Sequence, residues 1–187
     1  MRFRANFERV PLIQRPRCFL DLETTGLKAG FHEITEIGVV HEKFGKWSCK
    51  IMPRRLDRAQ PEALEMHGFN KVDWDGAPYF EDVAKKIIEY VENTILIGHN
   101  IAGFDIPMLH GNFEMVGLNS KAISRSVMDT MTLAIEHLVP KGLKQLRLHS
   151  ICDMLKISNE GEHTALADAE RVKQVWEKLV GNQLKLF

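Results

Sequence analysis

Cysteine is scarce and badly placed for cross-linking. Cys18, Cys49 and Cys152 are odd in number, far apart and form no CxxC pair, so the chain has no disulfide framework and reads as a cytoplasmic protein with reduced thiols. Long apolar runs are missing too: none approaches the ~20 residues of a membrane-spanning helix. The arginine-rich start is not followed by the apolar region of a signal peptide. Net charge is also absent. The 25 basic and 25 acidic side chains cancel, so overall charge neither announces nor excludes a nucleic-acid partner. Repeats and low-complexity stretches do not occur.

What is present fits one domain with a real core: 187 residues, 44% apolar and 27% charged. Local charge is less even than the total. Arg2, Arg4, Arg9, Arg15 and Arg17 make a basic start, and Lys141, Lys144 and Arg147 a second basic stretch. Either is a solvated face or a phosphate contact. The expected organisation is a basic arm over residues 1–15, a globular domain over 16–180 and a short tail over 181–187.

Alternation and turn signals predict strands over Arg17–Glu23, Ile34–Glu42 and Lys46–Met52, with a hairpin at Lys43–Gly45 and a stop at Pro53. Pro61–His67 is a short helix opened by proline, and Glu81–Val91 a longer one with Val83, Ile87, Ile88 and Val91 at helical spacing. Thr94–Gly98 is a short buried strand, and a helix opens at Asp105 and closes near Gly117. Ser126–Leu138 combines a short strand and a helix, and Leu143–Leu155 and Thr164–Val180 finish the chain. Three meandering strands followed by alternating helices and strands imply an α/β fold with a mixed sheet flanked by helices.

Within that frame, the stretch DLETTGL, Asp21 to Leu27, places two acids where a strand runs out into a turn. The period of two puts Asp21 and Glu23 on one face, close enough to repel. A cation must hold them, or one must keep its proton. Hard carboxylate oxygens suit a divalent ion, and the motif holds no lysine or arginine. Asp105 in GHNIAGFDIPML and Asp168 in EHTALADAE lie among apolar neighbours, where an acid is costly unless paired or metal-bound. His163 stands five residues before Asp168, off the face-sharing spacing of four, and so beside the ligands rather than among them. Each acid alone has a plainer role: strand end, helix cap for Asp105, or an ion pair of Asp168 with Arg171.

Taken together and in this order, DLETTGL, GHNIAGFD and HTALADAE resemble the three motifs of the DEDDh 3′→5′ exonuclease family, above all the proofreading epsilon subunits of bacterial replicative polymerases and their stand-alone relatives. HEITEIGVV, EALEMHGFN and VMDTMTLAIEHL resemble segments between them, and the similarity runs from about Pro16 to Val180. The second motif departs by one residue, with Ile101, Ala102 and Gly103 where two are usual. Some relatives carry a tyrosine in place of the histidine, but Tyr79 and Tyr90 lie too early for that.

The resemblance implies a ribonuclease H-like five-stranded mixed sheet. It also implies two magnesium or manganese ions held by Asp21, Glu23, Asp105 and Asp168, with His163 as general base. Thr24, Leu27, His67 and Phe104 would line the pocket for the last nucleotide, with His99 and Asn100 near it. The implied substrate is a DNA 3′ end, single-stranded or frayed. An RNA exonuclease of the oligoribonuclease or RNase T kind and a non-catalytic nucleic-acid-binding module are the alternatives. Finally, QLKLF at Gln183–Phe187 resembles the motif by which bacterial polymerases and repair proteins bind the β sliding clamp. Gln183, Leu184, Leu186 and Phe187 would make that contact, and a DNA polymerase is a further expected partner.

Overall fold

The computed structural model describes residues 10–160 and 164–180. Five strands form one sheet in the order β3-β2-β1-β4-β5: β1 Arg17–Thr24, β2 Ile34–His41, β3 Gly45–Lys50, β4 Ile95–Gly98 and β5 Val127–Asp129. The first three form an antiparallel meander. β4 then joins the other flank of β1 in parallel, and β5 joins β4 in parallel. The expected mixed sheet is therefore present, and β1, the strand carrying Asp21 and Glu23, lies at its centre.

Among the described residues there are six α-helices, of which α2, α3 and α6 pack on the sheet: α1 Pro61–Met66, α2 Phe80–Val91, α3 Asp105–Met115, α4 Thr130–His137, α5 Leu148–Leu155 and α6 Ala165–Val180. Alternation along β1 sorts the packing. Cys18, Leu20 and Leu22 enter the larger core with Ile37 and Val39 of β2, Ile87 of α2 and Leu109 of α3. On the other face Phe19 meets Val40, Ile97 and, from α6, Ala169, Val172 and Trp176. A further cluster joins α4, α5 and the end of α6 through Leu138, Ile151, Val175 and Leu179.

Asp129 caps α4, its carboxylate accepting from Met131 N–H at 2.9 Å. Gly142, at φ 101°, closes the turn after α4. The start of the domain is tied down by Arg15, which donates to Val10 O and Ser126 Oγ, and by Arg17, which pairs with Glu42 and lies 4.5 Å over the Trp176 ring. These two arginines of the basic start thus serve the fold, whereas Arg2, Arg4 and Arg9 lie outside the described residues. No helix among the described residues is long and apolar enough to cross a membrane.

Candidate active site

β4 pairs only with Arg17–Phe19 of β1, so β1 runs on past the carboxyl end of its parallel neighbour. The space left beside it receives the start of α3, and ligands of open α/β sheets collect at such carboxyl ends. Register then aligns the face toward α6 in rows: Phe19 opposite Val40, Asp21 opposite Gly38, and Glu23 opposite Glu36. The two acids of DLETTGL follow Phe19 on one face, as the period of two requires.

Asp168, on the first turn of α6, completes the cluster. One carboxylate oxygen each from Asp21, Glu23 and Asp168 lies within 4.8 Å of the others. Asp105 stands outside that trio as the first residue of α3, and is only 3% exposed. It is not the cap of its own helix; Phe104 holds that position and no side chain caps it. Backbone amides of Asp105 itself and of Leu22, next to Asp21 on β1, bond its carboxylate instead.

The electrostatics of this pocket are unfavourable as it stands. Burial raises the Asp21 carboxyl well above the usual range, and the charges of Asp105, Asp168, Glu23 and Glu36 add to it. Burial, then Asp168, Glu36 and Asp105, push Glu23 up to about 8. Asp105 is raised by burial and by Asp129, against the pull of its two amides. Each of these acids resists ionising, as like charges in a low-dielectric site must. The nearby cation is Arg171, buried on α6, which donates to Asp168 Oδ1 at 2.6 Å and to Glu160 O at 3.1 Å. The plainer role for Asp168 is thus real, yet the same carboxylate also belongs to the converging trio. Hard oxygen donors that converge, with one guanidinium among several carboxylates, could serve as a donor set for divalent cations.

Of the proposed pocket residues, Thr24 is buried at the strand end, its hydroxyl donating to Gly26 O. His67 Nε2 lies 3.3 Å from Thr24 O and 3.4 Å from Thr35 Oγ1, so α1 is drawn against the end of β1. Burial lowers the His67 pKa. Leu27 stands out at 74% exposure, and Phe104 packs against the main core.

His99 and Asn100 turn to other duties. The His99 Nε2 donates to Leu146 O at 2.7 Å and Nδ1 faces Thr130 Oγ1 at 3.1 Å, which makes the ring a strut between β4, α4 and the segment before α5. Asn100 adopts φ 59°. Its N–H donates to Asp129 Oδ1 and its carbonyl accepts from Gly103 and Phe104, forming the turn that launches α3. The extra residue of the second motif is absorbed in that turn. His163 and the tail residues Gln183, Leu184, Leu186 and Phe187 lie outside the described residues.

Two residues of the site escaped sequence reasoning. Gly38 lies under the start of α6: a Cβ there would fall 2.2 Å from the backbone carbon of Ala165 and from Leu166 N. Helix and strand approach closely enough to bring Asp168 to Asp21 only because position 38 has no side chain. A glycine inside a strand pattern was the available signal. Glu36 is the other, a buried acid on β2 beside Glu23; a carboxylate inside the apolar run ITEIGVV would have marked it.

A mixed sheet ending in half-buried, converging acids defines a class, and the family comparison agrees: the Exonuclease (RNase T) family model matches residues 18–176. The chain belongs to that exonuclease family. The DNA polymerase III subunit epsilon of Pasteurella multocida is 31% identical over 180 residues, covering 90% of this chain and 69% of that protein. The PolC-type DNA polymerase III of Clostridium perfringens is 31% identical over 159 residues, 83% of this chain but 10% of the polymerase. This chain therefore spans about a tenth of the polymerase's length. Among solved structures, the zinc-bound complex of E. coli ExoI with single-stranded DNA superposes with a TM-score of 0.78 at 20% identity, over 93% of this chain and 42% of that one, a likeness of fold.

Proposed function

We propose that this exonuclease removes 5′-mononucleotides from the 3′ ends of single-stranded or frayed DNA, using two magnesium or manganese ions held by Asp21, Glu23, Asp105 and Asp168. The observation that carries the reading is the convergence of Asp21, Glu23 and Asp168 within 4.8 Å, in a pocket where burial and neighbouring carboxylates make Asp21 and Glu23 resist ionisation. Divalent ions held there would supply charge to the phosphate in the transition state and make water a stronger nucleophile.

The protein's own groups do the rest. Asp21, central in the sheet, would hold metal together with Glu23, Asp168 and Asp105, and the Leu22 amide favours the charged form of Asp105. His163, a few residues before Asp168, accepts the proton of the attacking water at an imidazole nitrogen. Leu27 and Phe104 seat the last base, which reads no sequence. An unpaired terminal nucleotide enters at less cost than a paired one, which yields proofreading without recognition of the error.

DNA is favoured over RNA by the kinship with epsilon and PolC-type proteins. Association with a DNA polymerase, a cytoplasmic setting and contact of Gln183, Leu184, Leu186 and Phe187 with a sliding clamp belong to the same proposal. A clamp on DNA would raise the local concentration of the enzyme at the primer end; deletion of Gln183–Phe187 with no loss of clamp binding would remove that part.

The test is digestion of matched 5′-labelled DNA and RNA strands in magnesium. A ladder of DNA shortened from the 3′ end, lost in chelator and in Asp21→Ala, is expected. Undiminished cleavage by the variant, or faster digestion of RNA, would overturn the metal site or the substrate respectively.

A further inference from the structure

Between Glu23 and β2 the chain makes a loop, residues 27–33, that projects from the carboxyl end of the sheet. Its tip is Phe31, 36% exposed, with Lys28 Nζ 5.3 Å and Arg58 Cζ 5.0 Å from the ring centroid. Exposed aromatic and cations together would be unremarkable on a floppy loop. This loop is held at many points. Within it, His32 Nδ1 accepts from Lys28 N–H at 2.9 Å, and the Phe31 and His32 amides donate to Lys28 O. Gln60 reaches across to accept from Leu27 N–H and to donate its own N–H to Thr25 O. From α3, the helix of Asp105, Asn112 donates to His32 O and accepts from Ile34 N–H. Gly111 lies so near that a Cβ would be 2.3 Å from Gly30 N. The loop is thus anchored to α3, the helix that begins with Asp105, and to Gln60 ahead of α1.

Charge distinguishes this tip from its surroundings. Arg54 and Arg55, close to Arg58 in the chain, are neutralised by Glu81 and Asp57. Lys28 and Arg58 form no ion pair among the described residues, although Asp57, which pairs with Arg55, also feels the Arg58 charge. Their long stems let each head swing from the ring to a nearby anion. A ring that can stack on any base, flanked by two cations not engaged in an ion pair among the described residues and set beside exposed Leu27, matches the chemistry of a single-stranded polynucleotide.

We propose that Phe31, Lys28 and Arg58 form a platform for the strand 5′ of the nucleotide being cleaved, with Phe31 stacking on a base and the two cations meeting flanking phosphates. This rests on reading the acidic cluster as the nuclease site. It goes beyond that reading by assigning a second region of contact, which sets the length of strand the protein grips rather than the chemistry at its end.

The experiment measures binding of 5′-fluorescein-labelled dinucleotide, tetranucleotide and dodecanucleotide by anisotropy, in calcium in place of magnesium, with DNA and RNA series in parallel. Phe31→Ala should weaken dodecanucleotide binding roughly five- to a hundredfold, the worth of one base stack, with the loss shrinking toward the dinucleotide. Lys28→Gln with Arg58→Gln should lower the slope of log affinity against log salt by about 0.7 for each phosphate no longer neutralised. Equal losses at every length, or none at any, would overturn the platform. A difference between the DNA and RNA series assigns the sugar of the strand it holds. Cleavage by the wild type in magnesium is measured alongside: if the wild type binds the long strand yet cleaves neither polymer, the nuclease reading fails, and the length series still judges the platform by itself.

Discussion

The seam between α6 and the sheet has two ends made of opposite materials. At one, Phe19, Val40, Ile97, Val172 and Trp176 are buried together, with the Phe19 and Trp176 rings edge to face at 5.9 Å. At the other, one strand repeat further along, Asp21, Glu23 and Glu36 look toward Asp168. Strand and helix are the same; the contributions are opposite. Apolar burial stabilises by about 25 cal/mol per Å², whereas crowded carboxylates in a dehydrated pocket oppose folding. The apolar end therefore holds the acidic end in a geometry that it would not adopt alone, and on the proposed function a bound divalent cation would reverse the sign of the second contribution.

The largest expected effect is on rate and leaves the seam intact. His163→Ala should slow the chemical step by roughly 10²–10⁴-fold, the usual worth of a general base, while calorimetry still shows divalent cations binding to the four acids. A collapse of metal affinity in that variant would make His163 part of the acidic end instead.

Next comes the apolar end. Trp176→Ala should lower unfolding free energy in urea by about 3–5 kcal/mol, as for other buried tryptophans, without changing the metal affinity of the folded fraction. If affinity fell in parallel, the two ends would not be separable. Gly38 sits between them. Gly38→Ala must move the first turn of α6, since the clash is with backbone. It should cost about 1–3 kcal/mol as overpacking does and, unlike Trp176→Ala, should also weaken metal binding, because Asp168 moves with that turn.

A further effect is a slope. Glu23 has its pKa raised from 4.5 to about 8 in the folded protein, so between those values the folded state keeps a proton that the unfolded state has released. Stability contributed by this group therefore falls as pH rises through that window. Glu23→Gln removes the dependence, so in chelator the variant's advantage over the wild type should widen from acid toward pH 8 and then level off. A constant difference across the window would show Glu23 to be an ordinary surface acid.

Much of this contrast was legible in the chain. Strand alternation placed Asp21 and Glu23 on one face, and apolar neighbours marked Asp105 and Asp168 as acids out of water. The order of strands and helices implied the mixed sheet. What stayed hidden was tertiary. The bonding of His99 to Leu146 O and toward Thr130 joins residues distant in sequence, so its neighbours in the motif could not disclose it. Gly38 looked like any strand glycine until α6 was laid across it, and Glu36 sat in a run that otherwise read as core. Asp168 had two rival explanations in the sequence, an ion pair and a ligand; the fold shows the ion pair with Arg171 and places the same carboxylate in the converging trio. The platform residues were hidden for the same reason, since Arg58 reaches Phe31 only through the folded loop.

The contrast between the two ends is tested most directly by the melting temperature of Asp21→Asn beside the wild type, in chelator and then in magnesium or manganese. Replacing the central acid by its neutral isostere relieves repulsion and removes the shared ligand in one step. In chelator the variant should therefore melt higher than the wild type, while divalent cations should raise the wild type's melting temperature and leave the variant's nearly still. A variant that melts lower in chelator, together with a wild type indifferent to divalent cations, would contradict the reading of the acidic end as a strained metal site.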